Sequence, residues 1–162
     1  MGMSSYFFLI SQLWRMANPG RDMYYSTFNT EFDDFFITSI GGEDQTSTEF
    51  WGILLNFQLI PVGGCQERVK LDDEILFAFN AFNAVHFLKL IGPATAHVGH
   101  PVVLTVTDGQ SGSAVAGASV RAQTSDANGH VSVTFVKAGQ HEVKAMKSDS
   151  IRSSALTIHV IG

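Results

Sequence analysis

Six histidines are the residues of this sequence that could most directly bind a metal, because imidazole is a common metal ligand. His97 and His100 lie three residues apart, but no Cys, Asp or third His follows at the spacing of a zinc site. Asp126-Ala127-Asn128-Gly129 resembles part of a calcium loop but lacks the glycine and the glutamate that an EF-hand requires further on. We therefore predict no bound metal, and we expect strand-end histidines and a hairpin turn instead. The histidines are His86, His97, His100, His130, His141 and His159.

Two other arrangements could support nucleophilic catalysis. Cys65 follows Gly63-Gly64 and could pair with His86, although an inert, half-buried thiol is the more common use of cysteine in such a turn. The segment from Gly109 to Ser113 approaches a nucleophile elbow but lacks its final glycine and its following helix. The sequence therefore predicts a protein that is not an enzyme, with no catalytic residue and no cofactor.

The composition excludes two classes of partner. The net charge is -5 with only ten Lys and Arg residues, so no basic stripe is available to neutralise a phosphate backbone. No apolar run approaches the roughly 20 residues of a membrane span. Charged residues make up 15% of the chain, whereas about 25% is ordinary for a soluble domain. We expect glycans or further copies of the chain to cover the remaining surface.

The composition changes from Ala94 onward, where aromatic residues become rare and Val, Ala, Ser and Thr dominate. Gly92-Pro93 suits a short, stiff joint between two β domains, so we predict a boundary there. Residues 93–162 alternate apolar and polar side chains in short runs, separated by turn pairs such as Asp108-Gly109 and Asn128-Gly129. Strands at this spacing predict a β-sandwich.

The motifs of this C-terminal part are Val115-Ala116-Gly117-Ala118-Ser119-Val120, followed by Thr124-Ser125-Asp126-Ala127-Asn128-Gly129 and Val131-Ser132-Val133. With them, the region resembles bacterial-type immunoglobulin-like repeats of surface adhesins. The resemblance implies an immunoglobulin-like β-sandwich in a modular adhesion or stalk protein. It implies an extracellular or cell-surface location.

Residues 35–92 are rich in aromatic side chains and are also patterned as β-strands. Trp51-Gly52-Ile53-Leu54-Leu55-Asn56, Val62-Gly63-Gly64-Cys65 and Leu71-Asp72-Asp73-Glu74-Ile75 resemble the small β-grasp-like domain at the C terminus of transcobalamin-type proteins. Where that family has glycine after the strand-end asparagine, this chain has Phe57, and Asp72-Asp73 replaces its Gly-Asp pair. We therefore predict the β-grasp-like fold without cobalamin contact.

Residues 1–34 are predicted to form an extended N-terminal arm, because so short an apolar segment cannot enclose a core of its own. The apolar run at Met1–Ile10 is too short for a signal peptide and lacks a basic start, so we expect mature sequence there. Seven residues of the arm are the predicted subunit interface: Tyr6, Phe7, Phe8, Leu9, Ile10, Leu13 and Trp14.

The fold prediction is thus all-β and mainly antiparallel, with the arm, the β-grasp-like domain and the sandwich in that order. The predicted function is the repeating subunit of an extracellular fibre, in which the arm is a donor strand added to a neighbouring copy. An arm that folds back onto its own domain is the alternative. A secreted, monomeric module is a second hypothesis, with Trp51, Phe57, Phe77 and Phe79 stacking on a small ligand or glycan.

Covalently attached glycans form a separate prediction. The sequence contains no Asn-x-Ser/Thr acceptor, but Thr46, Ser47 and Thr48 are candidates for O-linked glycosylation. A plain polar loop is the alternative for these three residues.

Overall fold

A computed structural model describes residues 24–162, and these residues fold almost entirely into β-strands. Most strand pairs are antiparallel, and the one helical element among the described residues is a single 3-10 turn at Ala81–Asn83. The predicted all-β, mainly antiparallel class is therefore confirmed. The chain divides into two compact units between Asn83 and Ala84. No helix in the described part of the chain is long and apolar enough to cross a membrane.

Over residues 24–83 the first unit contains six strands, arranged in two antiparallel three-stranded sheets with the orders β1-β2-β3 and β5-β4-β6. The strands are β1 (Tyr24–Asn29), β2 (Asp34–Ile40), β3 (Glu43–Asp44), β4 (Trp51–Leu55), β5 (Gln58–Leu59) and β6 (Ile75–Phe79). Described residues of the predicted arm, 24–34, thus form β1 and the start of β2. Whether the unit as a whole is β-grasp-like stays a prediction.

Phe57 takes the position in the β4–β5 turn at which glycine was expected after Asn56. Asn56 and Phe57 have φ angles of 51° and 66°, as in a two-residue type I′ hairpin, where the second residue is usually glycine. A bulky residue is strained in this conformation. Phe57 is 6% exposed, however, so burial of its ring offsets the strain.

The second unit contains ten strands in three sheets, with the orders β12-β9-β7-β15, β13-β16-β8 and β11-β10-β14. Two of its strand pairs are parallel, β15 with β7 and β16 with β8. The strands are β7 (His86–Ile91), β8 (Thr95–His97), β9 (Pro101–Asp108), β10 (Ser119–Val120), β11 (Gln123–Thr124), β12 (His130–Thr134), β13 (Gly139–Val143), β14 (Ala145–Met146), β15 (Ser150–Ile151) and β16 (Leu156–Ile161).

One aliphatic core joins these sheets into a β-sandwich. Leu104 and Val106 of β9 are fully buried, as are Ile158 of β16 and Phe135 after β12. The side chains between them along each strand are more exposed, which is the alternation that the sequence predicts. The alternation ends after Val120, since Ala122 lies exposed in the β10–β11 turn with a φ of 65°.

The division between the units lies nine residues before the predicted joint at Gly92-Pro93. The reason is strand β7, which pairs with β9 and buries Leu88 and Leu90 in the core of the second unit. Its aromatic and aliphatic composition resembles that of the preceding segment, so composition alone places it in the wrong unit. A side chain at Gly92 would clash with Leu104 of this core, which accounts for the glycine.

Candidate functional site

The β4–β6 pair presents six large apolar side chains on one face, which we call the apolar face. The strand register places Trp51 opposite Phe79, Ile53 opposite Phe77 and Leu55 opposite Ile75. All six side chains are half-buried, whereas on the opposite face Gly52, Leu54 and Ala78 are buried and Leu76 is half-buried. The face is therefore covered in part and leaves some of each apolar side chain open to solvent.

Local contacts hold the Trp51 end of the apolar face in place. The Trp51 indole donates from Nε1 to the Glu43 carbonyl at 3.0 Å, and its ring centroid lies 5.4 Å from that of Phe79 at a tilt of 60°. Behind Trp51, a β-carbon added at Gly52 would lie 2.7 Å from that of Ala81, so the packing of the 3-10 turn requires glycine. The result is an oriented pair of rings with part of its surface open.

An apolar groove lies at the other end of the same face. It encloses only about 10 Å³, and Ile53, Leu55 and Ile75 contribute to its lining together with Ile60 and Val69. The carboxylate of Glu67 is the one charged group among its lining residues. This volume is far below the roughly 300 Å³ at which small-molecule pockets begin, so the groove is a shallow apolar depression in the surface of the unit.

A buried carboxylate lies beside the single thiol of the chain. Asp34 is 2% exposed, and its Oδ1 accepts hydrogen bonds from the backbone N–H groups of Phe35 at 2.7 Å and Cys65 at 3.4 Å. Its Oδ2 has no hydrogen-bond partner in the described structure. A side chain at Gly63 would clash with this carboxylate, so the glycine allows the turn to close over it.

This environment disfavours the thiolate form of Cys65. Cys65 is exposed rather than half-buried as expected, but the partial desolvation of its thiol and the neighbouring Asp34 carboxyl raise the pKa of the thiol. A thiol with a raised pKa is a poor nucleophile at neutral pH, because the thiolate is the reactive form. The proposed partner, His86, is held at Nδ1 by the Asp108 carboxylate at 2.8 Å in the second unit. The geometry therefore gives no support to a thiol enzyme.

His86 and Asp108 form a hydrogen-bonded pair at the turn that follows β9. Asp108 is 5% exposed, and its Oδ1 accepts from the N–H groups of Gln110 and Ser111 at 2.8 and 3.1 Å. Burial alone would raise the pKa of Asp108, but the hydrogen bonds from Ser111, His86 and Gln110 together lower it. The carboxylate thus stabilises the turn in its ionised form.

The remaining sequence candidates lie in turns. Asp126 caps its hairpin by accepting from the N–H groups of Asn128 and His130, which confirms the turn interpretation of this segment. Among the described residues, no group of three or more His, Cys, Asp or Glu side chains is placed to hold a metal ion. Thr46 accepts from the N–H groups of Thr48 and Glu49 in an exposed turn before β4, and O-glycosylation there stays a prediction.

The structure brings together only part of the predicted stacking surface. Trp51, Phe77 and Phe79 share the apolar face, whereas Phe57 is buried in the β4–β5 turn and cannot stack on a ligand. The predicted interface residues between Tyr6 and Trp14 lie outside the described residues. Asp34 was not identified from the sequence, although the Gly63-Gly64 pair signals a close approach of the backbone.

Comparison with known families gives one match. A family profile described as a domain of unknown function (DUF4430) matches residues 21–81, which include all the strands of the first unit. The first unit is therefore similar to this domain, whose description names no activity. Searches of curated proteins and of solved structures gave no significant match. The resemblances to adhesin repeats and to transcobalamin-type domains stay predictions.

Proposed function

We propose that the protein is a structural subunit of an extracellular fibre or surface assembly, and that it polymerises by inserting the N-terminal arm of one copy into a neighbouring copy. The observation that carries this proposal is the half-buried apolar face of β4 and β6. A neighbouring copy that covered this face would remove apolar surface from water, at about 25 cal/mol per Å².

Strand addition fits the chemistry of both partners. Main-chain hydrogen bonds provide affinity, and alternate side chains fill pockets and set the register. The segment Tyr6–Ile10 consists of five apolar residues, and the chain as a whole carries few charges to oppose self-association. Because the donor and acceptor surfaces differ, such contacts are head-to-tail, and they propagate into a filament when the rotation between copies does not close into a ring.

Deletion of residues 1–20 tests the proposal directly. We expect the full chain to form filaments in negative-stain images and large species in sedimentation velocity, and the truncated chain to sediment as a monomer. A chain with Ser4→Ala and Ser5→Ala is the matched control, because it alters the same segment without removing apolar side chains. Assembly of the truncated chain at the full-length concentration would contradict the proposal.

A second candidate function is a monomeric module that binds a small ligand or glycan, and the specific observation in its favour is the partly open Trp51–Phe79 ring pair of the apolar face. The chain has two tryptophans, Trp14 and Trp51, so Trp14→Phe leaves Trp51 as the reporter at the apolar face. If this candidate is correct, a sugar or apolar ligand changes the Trp51 fluorescence saturably while the protein remains monomeric. If no sugar or apolar ligand changed the Trp51 emission spectrum, this second candidate function would be wrong.

A further inference from the structure

Strand β6 forms one edge of its sheet in the described structure, since it pairs with β4 alone. Its sequence, Ile75-Leu76-Phe77-Ala78-Phe79, contains no charge and no proline. Proteins usually protect an exposed edge with lysine, proline or a bulge, because unpaired backbone groups recruit other strands. The five pairs between β4 and β6 run in regular register without a bulge. Lysine, proline and a bulge are therefore all absent from this edge along the described strand.

The hydrogen bonds of the ladder show which backbone groups face β4. Asn56 donates from its N–H to the Glu74 carbonyl at 2.8 Å, and Asn80 donates to the Phe50 carbonyl at 2.8 Å. On the other side of β4, Ile60 donates to the Ile53 carbonyl at 3.0 Å. In antiparallel pairs the bonded positions alternate, so the even-numbered residues of β6 bond to β4.

The odd-numbered residues of β6 consequently direct their N–H and C=O groups away from β4. These are Ile75, Phe77 and Phe79, and no described residue makes a backbone hydrogen bond with them across this edge. Their side chains also belong to the apolar face, and Ile75 lines the groove. Three donors, three acceptors and an apolar lining thus lie together along one strand.

We propose that the outer edge of β6 is the acceptor site, and that Tyr6–Ile10 of a second copy adds there as a strand. This inference rests on the proposed function and specifies which surface receives the arm. Donor and acceptor are both five residues long, and both lack charge. A strand of this length spans about 17 Å, which is common for strands in globular proteins.

The length of chain between the donor segment Tyr6–Ile10 and β1 allows this exchange. Residues 11–23 separate Ile10 from Tyr24, where β1 begins. Thirteen residues can extend over at most about 45 Å, which exceeds the diameter of a small domain with a radius of gyration of roughly 11–13 Å. The arm of one copy can therefore reach β6 of the next without unfolding the first unit.

Two substitutions of Phe77 distinguish the role of its backbone N–H at the edge of β6 from the role of its ring. Phe77→Pro removes an N–H that faces away from β4 and leaves the β4–β6 ladder intact, whereas Phe77→Val removes the same ring and keeps the N–H. We expect the critical concentration for assembly to rise about tenfold or more with Phe77→Pro and to stay within about threefold of wild type with Phe77→Val. Circular dichroism and urea unfolding establish that both variants fold.

A disulfide test covers the case in which Phe77→Pro does not fold. In a Cys65→Ser background, chains with either Phe7→Cys or Phe8→Cys are mixed with chains that carry Phe77→Cys. Position 8 is the middle of the donor and position 77 the middle of the acceptor, so they meet in either strand direction. We expect one of the two mixtures to give a disulfide-linked dimer on a non-reducing gel.

The outcomes distinguish the two proposals. If deletion of residues 1–20 abolishes assembly but Phe77→Pro assembles normally and neither mixture crosslinks, the β6 edge is the wrong acceptor and the fibre function stands. If a crosslink forms only when both cysteines are in one chain, the arm occupies its own β6 and the exchange is refuted. If the truncated chain still assembles, the proposed function fails first.

Discussion

The two units of this protein bury their apolar residues to very different degrees. The second unit encloses one continuous core that includes Phe135, Leu88, Leu104 and Ile158, all at most 1% exposed. The first unit, over residues 24–83, buries six hydrophobic residues: Ile37, Ile40, Leu54, Phe57, Ala78 and Ala81. It leaves many large side chains exposed, including Phe32 at 57% and Leu71 at 92%.

The difference follows from how each unit uses its sheets. In the second unit the inner faces of the sheets cover each other, as in a sandwich, so the core needs no further chain. In the first unit, the apolar face of β4 and β6 stays half-buried. A unit of this kind gains stability when another segment covers it, which is the thermodynamic basis of the proposed assembly.

The largest expected effect is a loss of stability on truncating a phenylalanine of the second unit, compared with the same truncation in the first unit. Phe135→Ala leaves a cavity in a closed core and should lower the free energy of unfolding of the second unit by about 3–5 kcal/mol. Phe77→Ala, at a half-buried position, should cost the monomer about 1–2 kcal/mol because less area is lost from burial. Urea unfolding of each variant, in the chain that lacks residues 1–20, measures both changes in the free energy of unfolding. Equal costs would show that the apolar face is as fully packed as the core.

Val136→Ala is the control for the first of these changes. Val136 is adjacent to Phe135 but is 77% exposed, so its truncation should change stability by less than about 0.5 kcal/mol.

A smaller effect is expected from two turn glycines of the second unit, Gly129 and Gly112. Both have positive φ angles, 75° and 73°. A β-carbon at Gly129 would clash with the Val106 carbonyl, whereas none of the surrounding atoms would contact one at Gly112 within 4 Å. Gly112→Ala should therefore cost about 1 kcal/mol for the left-handed backbone alone, and Gly129→Ala should cost about 2–4 kcal/mol. Thermal unfolding of the two variants measures both costs. A clearly larger loss of stability for Gly129→Ala would show that the clash with the Val106 carbonyl, and not the positive φ, causes the difference.

The smallest expected effect compares the buried carboxylate of each unit. The lowered pKa of Asp108 means that its contribution is fully present above the ordinary carboxyl pKa and is lost as the pH falls through the folded-state value. Asp108→Asn should cost about 1 kcal/mol at pH 7 and less once the pH has fallen through the lowered pKa of Asp108, because the wild-type carboxylate is protonated below that pKa. Asp34→Asn should cost less at pH 7, since Asp34 Oδ2 has no partner in the described structure. If Asp34→Asn lowered the stability more than Asp108→Asn, the Asp34 carboxylate would have to be stabilised by interactions other than those described.

Most of the second unit follows from local patterns in the sequence. Alternating runs such as Val131, Val133 and Phe135 give the buried faces, and Gly129 marks a turn. The first unit was harder to predict, because its strands mix aromatic residues on both faces. Strand β7 was placed in the wrong unit because its pairing with β9 is a long-range contact. The burial of Phe57 likewise depends on a positive φ that its residue type disfavours.

For the candidate site, the sequence indicated Trp51, Phe77 and Phe79 as a group, since alternation places side chains on a common face. It could not indicate the open edge of β6, because the order of strands in a sheet depends on contacts between distant residues. Asp34 was missed for the same reason, since Cys65 and Gly63 approach it only after folding.

The sequence by itself determined the all-β class, the alternation of the strands and the turns, because these depend on the periodicity and residue types of short segments. Only the tertiary structure decided where the units divide, which apolar face stays half-buried and which strand lies at the edge. Those properties depend on long-range pairing, and pairing is set by the total area that the whole chain can bury.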